Sequence, residues 1–325
     1  MRRLQSLIMG SALLAFCAAV NAQSQSDPAI DEIRQLVMDS VDPARLGAGY
    51  AAMINFAVSP DISTATYNID DEDGNDPSLM VYRVPVRHVF SSDEQSWRPF
   101  VQGNLAYQTL DAGFDIGENE SIEAEWRALG GSVSAGAEVR LGENLILVPT
   151  IDAGVVRLEN DADYHGVLAE SLLKPALEGV LFDWEADAWL LGAALGFDYR
   201  RALSTLELNV HGSLTHKYIK TYDSSSGSID FDSRVTTFNV QADTVHPTRM
   251  SIRNFPLALV THVGATAFLG DNRKALGFDH FFEAGLALEA DVSRKDWRIQ
   301  KLRFGANLIF GSDVTGWGLI IGYRF

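Results

Sequence analysis

The stretch GWGLIIGYRF, residues 316–325, decides the fold. From Trp317 every second residue is large and apolar, through Leu319, Ile321, Tyr323 and Phe325. Gly318, Ile320, Gly322 and Arg324 stand between them. That two-residue period is a β-strand with one apolar face. A soluble protein usually leaves its last residues to fray in water; here the strand runs to a terminal aromatic, which predicts a face held against something apolar.

The same period recurs upstream. Over 203–220 one face carries Leu206, Leu208, Val210, Gly212 and Leu214, and the other carries Glu207, Asn209, His211, Ser213, Thr215 and Lys217. Over 189–199, Trp189, Leu191, Ala193, Leu195, Phe197 and Tyr199 oppose Gly192, Gly196 and Asp198. Phe282, Ala284, Leu286 and Leu288 oppose Glu283, Gly285 and Glu289, and Leu302, Phe304, Ala306 and Leu308 oppose Lys301, Arg303 and Asn307. These runs exceed the five or six residues of an ordinary soluble strand. Trp97, Trp126, Trp189, Trp297, Trp317 and Tyr323 sit near strand ends, where the aromatic girdles of a membrane barrel belong. Mean hydropathy is close to zero, as expected when an apolar lipid face alternates with a polar lumen.

Twelve strands are predicted, near 46–58, 79–90, 97–110, 123–141, 144–157, 186–200, 204–220, 233–242, 250–269, 278–292, 297–310 and 315–325. The fold expected is all-β, a twelve-stranded antiparallel transmembrane β-barrel. An even count puts both ends of the chain on one side. IDDEDGNDPS, LDAGFDIGENES, residues 158–185, YDSSSGSIDFD and LGDNRKALG then read as outer loops. SSDEQS, LGE, RAL, SRKD and ADTVHPTR read as shorter inner connections. A helix within GVLAESLLKPALEGVLF would be broken or kinked by Pro175.

Arg2 and Arg3 followed by LIMGSALLAFCAAV and Val20-Asn21-Ala22 make a secretory signal peptide, residues 1–22. Its removal takes the single cysteine, Cys17, leaving an exported chain without disulfides. Phe16 stands where a lipidation signal wants a small residue. Losing Arg2 and Arg3 from 26 basic residues against 43 acidic ones leaves a formal charge of about −19, which argues against nucleic acid as a partner. Residues 23–45 form an N-terminal segment ahead of the barrel, 46–325. In DPAIDEIRQLVMDSVDP, Asp27 is an N-cap and Pro28 takes the first helical position. Ile30, Ile33, Val37 and Val41 fall on one helical face and predict an amphipathic helix in or at the lumen.

A helix feeding a twelve-strand barrel that closes on Trp317, Leu319, Ile321, Tyr323 and Phe325 resembles the translocator domain of autotransporters. With only QSQS between the cleavage site and the helix, the chain looks like the solitary outer-membrane autotransporter-like β-barrels, without a passenger. The resemblance implies the outer membrane of a Gram-negative cell. Its partners would be outer-membrane lipid and lipopolysaccharide, together with the β-barrel assembly machinery that reads the closing strand. It also implies a monomer, with no cofactor and no metal. The role implied is a small helix-plugged pore or a structural membrane protein.

Three features point elsewhere. His211-Gly212-Ser213 resembles the His-x-Ser pair of outer-membrane phospholipases and lipid A deacylases, in which imidazole activates a hydroxyl. The apolar phase of Leu206, Leu208 and Val210 turns that pair inward, so the leading expectation is no enzyme. The acidic run DDEDGND, residues 70–76, misses the glycine and the glutamate of a calcium loop and reads as a solvated loop. Residues 158–185 could serve a surface adhesin or receptor. The remaining inward charges (Arg83, Arg87, Glu138, Arg140, Asp152, Lys217, Asp291 and Arg324 among them) read as a packed ion-pair network.

Overall fold

The computed structural model describes residues 26–40, 43–58, 64–70, 77–90, 95–226, 229–273, 275–293 and 300–324. The predicted signal peptide, Val41, Trp297, most of the acidic run and Phe325 lie outside these residues. So do the side chains of Tyr323 and Arg324.

The strands are β1 (Thr64–Ile69), β2 (Ser78–Val89), β3 (Trp97–Gly117), β4 (Glu120–Arg140), β5 (Leu145–His165) and β6 (Trp184–Ala202). They continue as β7 (Glu207–Ser224), β8 (Asp232–Ile252), β9 (Phe255–Gly270), β10 (His280–Asp291), β11 (Lys301–Phe310) and β12 (Val314–Arg324). Each pairs antiparallel with its sequence neighbours, and β1 pairs with β12 to close the barrel. Closure satisfies the sheet edges that a lipid environment would leave unpaired. Trp317, Leu319 and Ile321 point outward on β12, as their period predicts.

The strand count of twelve matches the prediction, but its first member does not. Residues 46–58 are not a strand: Pro43–Val58 is a helix, α2, preceded by α1 (Ser26–Ser40), and Thr64–Ile69 supplies β1 instead. The stretch is apolar on every side, with Ala51, Ala52, Met53, Ile54 and Phe56 all buried. A helix enclosed on all sides carries no polar stripe to reveal its 3.6-residue period.

β3, β4, β5 and β8 are each 21 residues long, about twice the 9–11 that cross a bilayer. Along them the alternation changes sign. Low on β6, Leu191 and Leu195 point outward and are 54% and 52% exposed, while Asp198 faces in. Higher up, Trp184 and Leu190 face in and are 2% and 1% exposed, while Glu185 faces out. Outward on the upper walls run the ion pairs Arg127–Asp161, Arg157–Glu159 (3.2 Å) and Arg157–Glu185. The lower wall is apolar outside and polar inside; the upper wall is polar outside and apolar inside.

That inversion explains two misreadings. LDAGFDIGENES is mostly wall, because Leu110, Ala112, Phe114 and Ile116 turn inward and Asp111 and Asp115 outward; the chain reverses at residues 118–119, with Asn119 at φ 63°. Trp126 is no girdle residue, because it packs inside against three apolar clusters.

ADTVHPTR likewise belongs to β8, whose register shifts between Pro247 and Ser251. A bulge is where an internal strand tolerates proline. The reversal is made by Arg253 and Asn254, with φ of 51° and 69°.

Beyond β5, residues 166–183 form a π-helical turn (Ala169–Leu173) and the short helix α3 (Lys174–Leu177), with Pro175 in its first turn. This loop holds α1. Ile33 and Val37 pack against Ala169, Leu177, Leu181 and Ile122. Arg34 donates to the carbonyl oxygens of Pro175 (2.6 Å) and Ala176 (3.2 Å). The helix bearing Ile30, Ile33 and Val37 therefore covers the loop-side mouth, and the lumen belongs to α2. A sequence shows that a helix has an apolar face, not which wall will cover it.

Candidate functional site

The interior divides at mid-height. Above, α2 fills it. Ala51, Ile54 and Phe56 are 0% exposed. Tyr50 meets Trp184 edge-on at 4.7 Å and Phe231 at 5.8 Å. Phe56 meets Tyr67 at 4.9 Å, Phe268 at 5.8 Å, Phe278 at 6.2 Å and Phe281 at 6.3 Å. A Cβ added at Gly47 would lie 2.6 Å from Phe231 Cβ, so only glycine lets the helix pass there. Polar contacts fix its register. Asn55 Nδ2 donates to Thr237 Oγ1 at 2.8 Å, and Arg83 Nη2 donates to the Phe56 carbonyl at 2.9 Å. The latter puts a cation at the negative end of the helix dipole.

Below the helix the walls are charged and paired. On β8 to β11, Asp243 accepts from Arg303 and lies 2.7 Å from His262 Nδ1, while Glu289 accepts from Arg303 at 2.9 Å and Lys301 at 2.7 Å. Asn307 donates to buried Glu283. On β2 to β4, Glu138 accepts from Arg87 at 2.6 Å and from Arg98 Nε at 3.0 Å. On β6 and β7, Asp198 Oδ1 lies 2.7 Å from His211 Nδ1, across a directly opposed strand pair.

Two cavities are bordered by these charged walls. One of about 390 Å³ lies among β6, β7, β8 and β10 to β12, lined by Asp198, His211, Asp243, Glu289 and Arg303. Another of about 280 Å³ lies against β2 to β7, lined by Arg87, Phe100, Asp152, His211, Ser213 and Lys217. His211 borders both. Among the described residues no group of three His, Cys, Asp or Glu is placed to hold a metal ion.

His211 and Ser213 both face the lumen, while their neighbour Leu214 faces out. The partners Asp198, Arg98, Asp243 and His262 escaped sequence reasoning as functional residues. Asp198 was legible as inward-facing by alternation, but its alignment with His211 depends on cross-strand register, which one sequence does not state.

A family model described as "Solitary outer membrane autotransporter beta-barrel domain" matches residues 61–325. Among solved structures, the chain is similar to the translocator domain of the autotransporter NalP from Neisseria meningitidis, with 10% identity, 80% of this chain and 85% of that one covered, and a TM-score of 0.53. It is also similar to the transport unit of the autotransporter AIDA-I from Escherichia coli, with 9% identity, 88% and 100% covered, and a TM-score of 0.52. At such identities the likeness is one of fold. No curated protein matches the chain.

Proposed function

Because the chain belongs to the family of solitary outer-membrane autotransporter β-barrel domains, we propose that it is a pore of the Gram-negative outer membrane held shut by α2. The observation that carries this reading is the enclosed helix, with Ala51, Ile54 and Phe56 fully buried across the upper lumen. The lower lumen, by contrast, keeps charged cavities of about 390 and 280 Å³. A polar vestibule ending at an apolar plug has the layout of a water path closed at one level. Residues 158–185 hold α1 in place, which favours the plug over an adhesive role for that stretch. A lipid hydrolase would need its nucleophile turned to the bilayer, and Ser213 is turned away from it.

Planar-bilayer conductance tests the reading. The native chain should be nearly silent, and a chain lacking residues 26–58 should open steadily. The pair Asn55→Cys with Thr237→Cys, placed where helix and wall already touch, provides a folded control: silent when oxidised, with native openings restored by reductant. A deletion variant that inserts and conducts no more than the native chain would overturn the proposal.

A further inference from the structure

We propose that Asp198, His211 and Ser213 form a hydrolytic triad inside the lumen, acting on small water-soluble esters that enter the lower vestibule. Asp198 and His211 stand directly opposite each other on β6 and β7, with Oδ1 and Nδ1 2.7 Å apart. A carboxylate on Nδ1 keeps the proton on that nitrogen and leaves proton transfer to Nε2. Ser213 follows two residues on along the same face, about 7 Å up the strand, a separation that an imidazole ring bridges. Both side chains border the 280 Å³ cavity.

Arg87 supplies the second observation. It lines the same cavity, with its guanidinium 3.7 Å from the centre of the Phe100 ring and Nη2 on Glu138. Its positive charge borders the same space as Ser213 and favours the negative charge that develops on the ester oxygen during acyl transfer. Phe100, Val148 and Pro85 give an apolar side to the cavity, which suits a short acyl chain. Its volume falls just below the usual range of ligand sites, which suits a small ester. The outward turn of Leu214 keeps membrane lipid from the reacting groups.

The chemistry balances without a cofactor. Ser213 Oγ bonds to the ester carbonyl carbon while its proton passes to His211 Nε2. The C–O bond to the alcohol breaks, and the alcohol leaves with that proton. Water, deprotonated by His211, then releases the acid and returns the hydrogen to Ser213.

The test uses the full chain in detergent micelles. A small fluorophosphonate should phosphonylate Ser213 with loss of fluoride, as read by peptide mass, and p-nitrophenyl acetate should be turned over. Ser213→Ala should abolish both at this site, and His211→Gln should nearly do so. Asp198→Asn should slow labelling by up to about 10⁴-fold, the cost of the wrong histidine tautomer. Heat-modifiable gel migration reports that each variant keeps its barrel. The proposal does not rest on the plug. Ser213 left unmodified in a folded native chain, or modified equally fast in His211→Gln, would overturn the assignment.

Discussion

Phe56→Ala is the sharpest probe of the plug. The ring is 0% exposed and touches Tyr67, Phe268, Phe278 and Phe281 at centroid distances of 4.9 to 6.3 Å. Truncating a buried phenylalanine costs about 3–5 kcal/mol. Each aromatic pair adds ~0.5–1.5 kcal/mol beyond area, which puts this site toward the upper end. Because the wall is held by its own backbone ladder around a closed circuit, the loss falls on the docking of α2 rather than on the strands. At ~1.4 kcal/mol per factor of ten, the undocked population should rise by roughly three decades. Single-channel open probability reads this directly, and heat-modifiable migration reports that the barrel itself is intact. Phe310→Ala is the control: that ring stacks on Phe282 at 5.9 Å on the lipid face, so its loss should leave conductance alone. An open probability for Phe56→Ala indistinguishable from native would refute the view that these contacts keep the pore shut.

Three other perturbations follow from the geometry. Gly47→Ala places a methyl 2.6 Å from Phe231 Cβ, so the helix must shift; overpacking costs about 1–3 kcal/mol and should appear as increased protease cleavage within residues 26–58 while the barrel stays resistant. Glu138→Gln leaves Arg87 and Arg98 facing each other without their shared carboxylate, with side chains 32% and 16% exposed. The cost should be about 2 kcal/mol in a urea titration, between that of a surface pair and a broken buried one. Asn254→Val puts a β-branched residue at φ 69° and should cost about 1–3 kcal/mol, measured by the same titration, whereas Asn254→Gly should be near neutral.

How much was legible depends on what each residue's environment repeats. In the lower wall, lipid outside and water inside impose one alternation, so β10 could be read from Phe282, Leu286 and Leu288 against Glu283 and Glu289. In the upper wall the alternation persists but its meaning reverses. Trp126 looks like a membrane aromatic and is a lumen residue. His211 and Ser213 read together in the sequence because they share one strand face, whereas Asp198 joins them only through the register that sets it opposite His211, 13 residues away in the chain.

The sequence by itself determined the class: a two-residue period ending in Trp317, Leu319 and Ile321 is a membrane barrel, because side chains of a strand must alternate between its faces. It also placed eleven of the twelve strands, since an antiparallel meander repeats one local rule, and missed Thr64–Ile69. Only the tertiary structure decided that Pro43–Val58 is a helix inside the barrel rather than a strand in its wall. A segment surrounded by protein on every side meets no boundary between water and oil, and without that boundary its sequence carries no period to read.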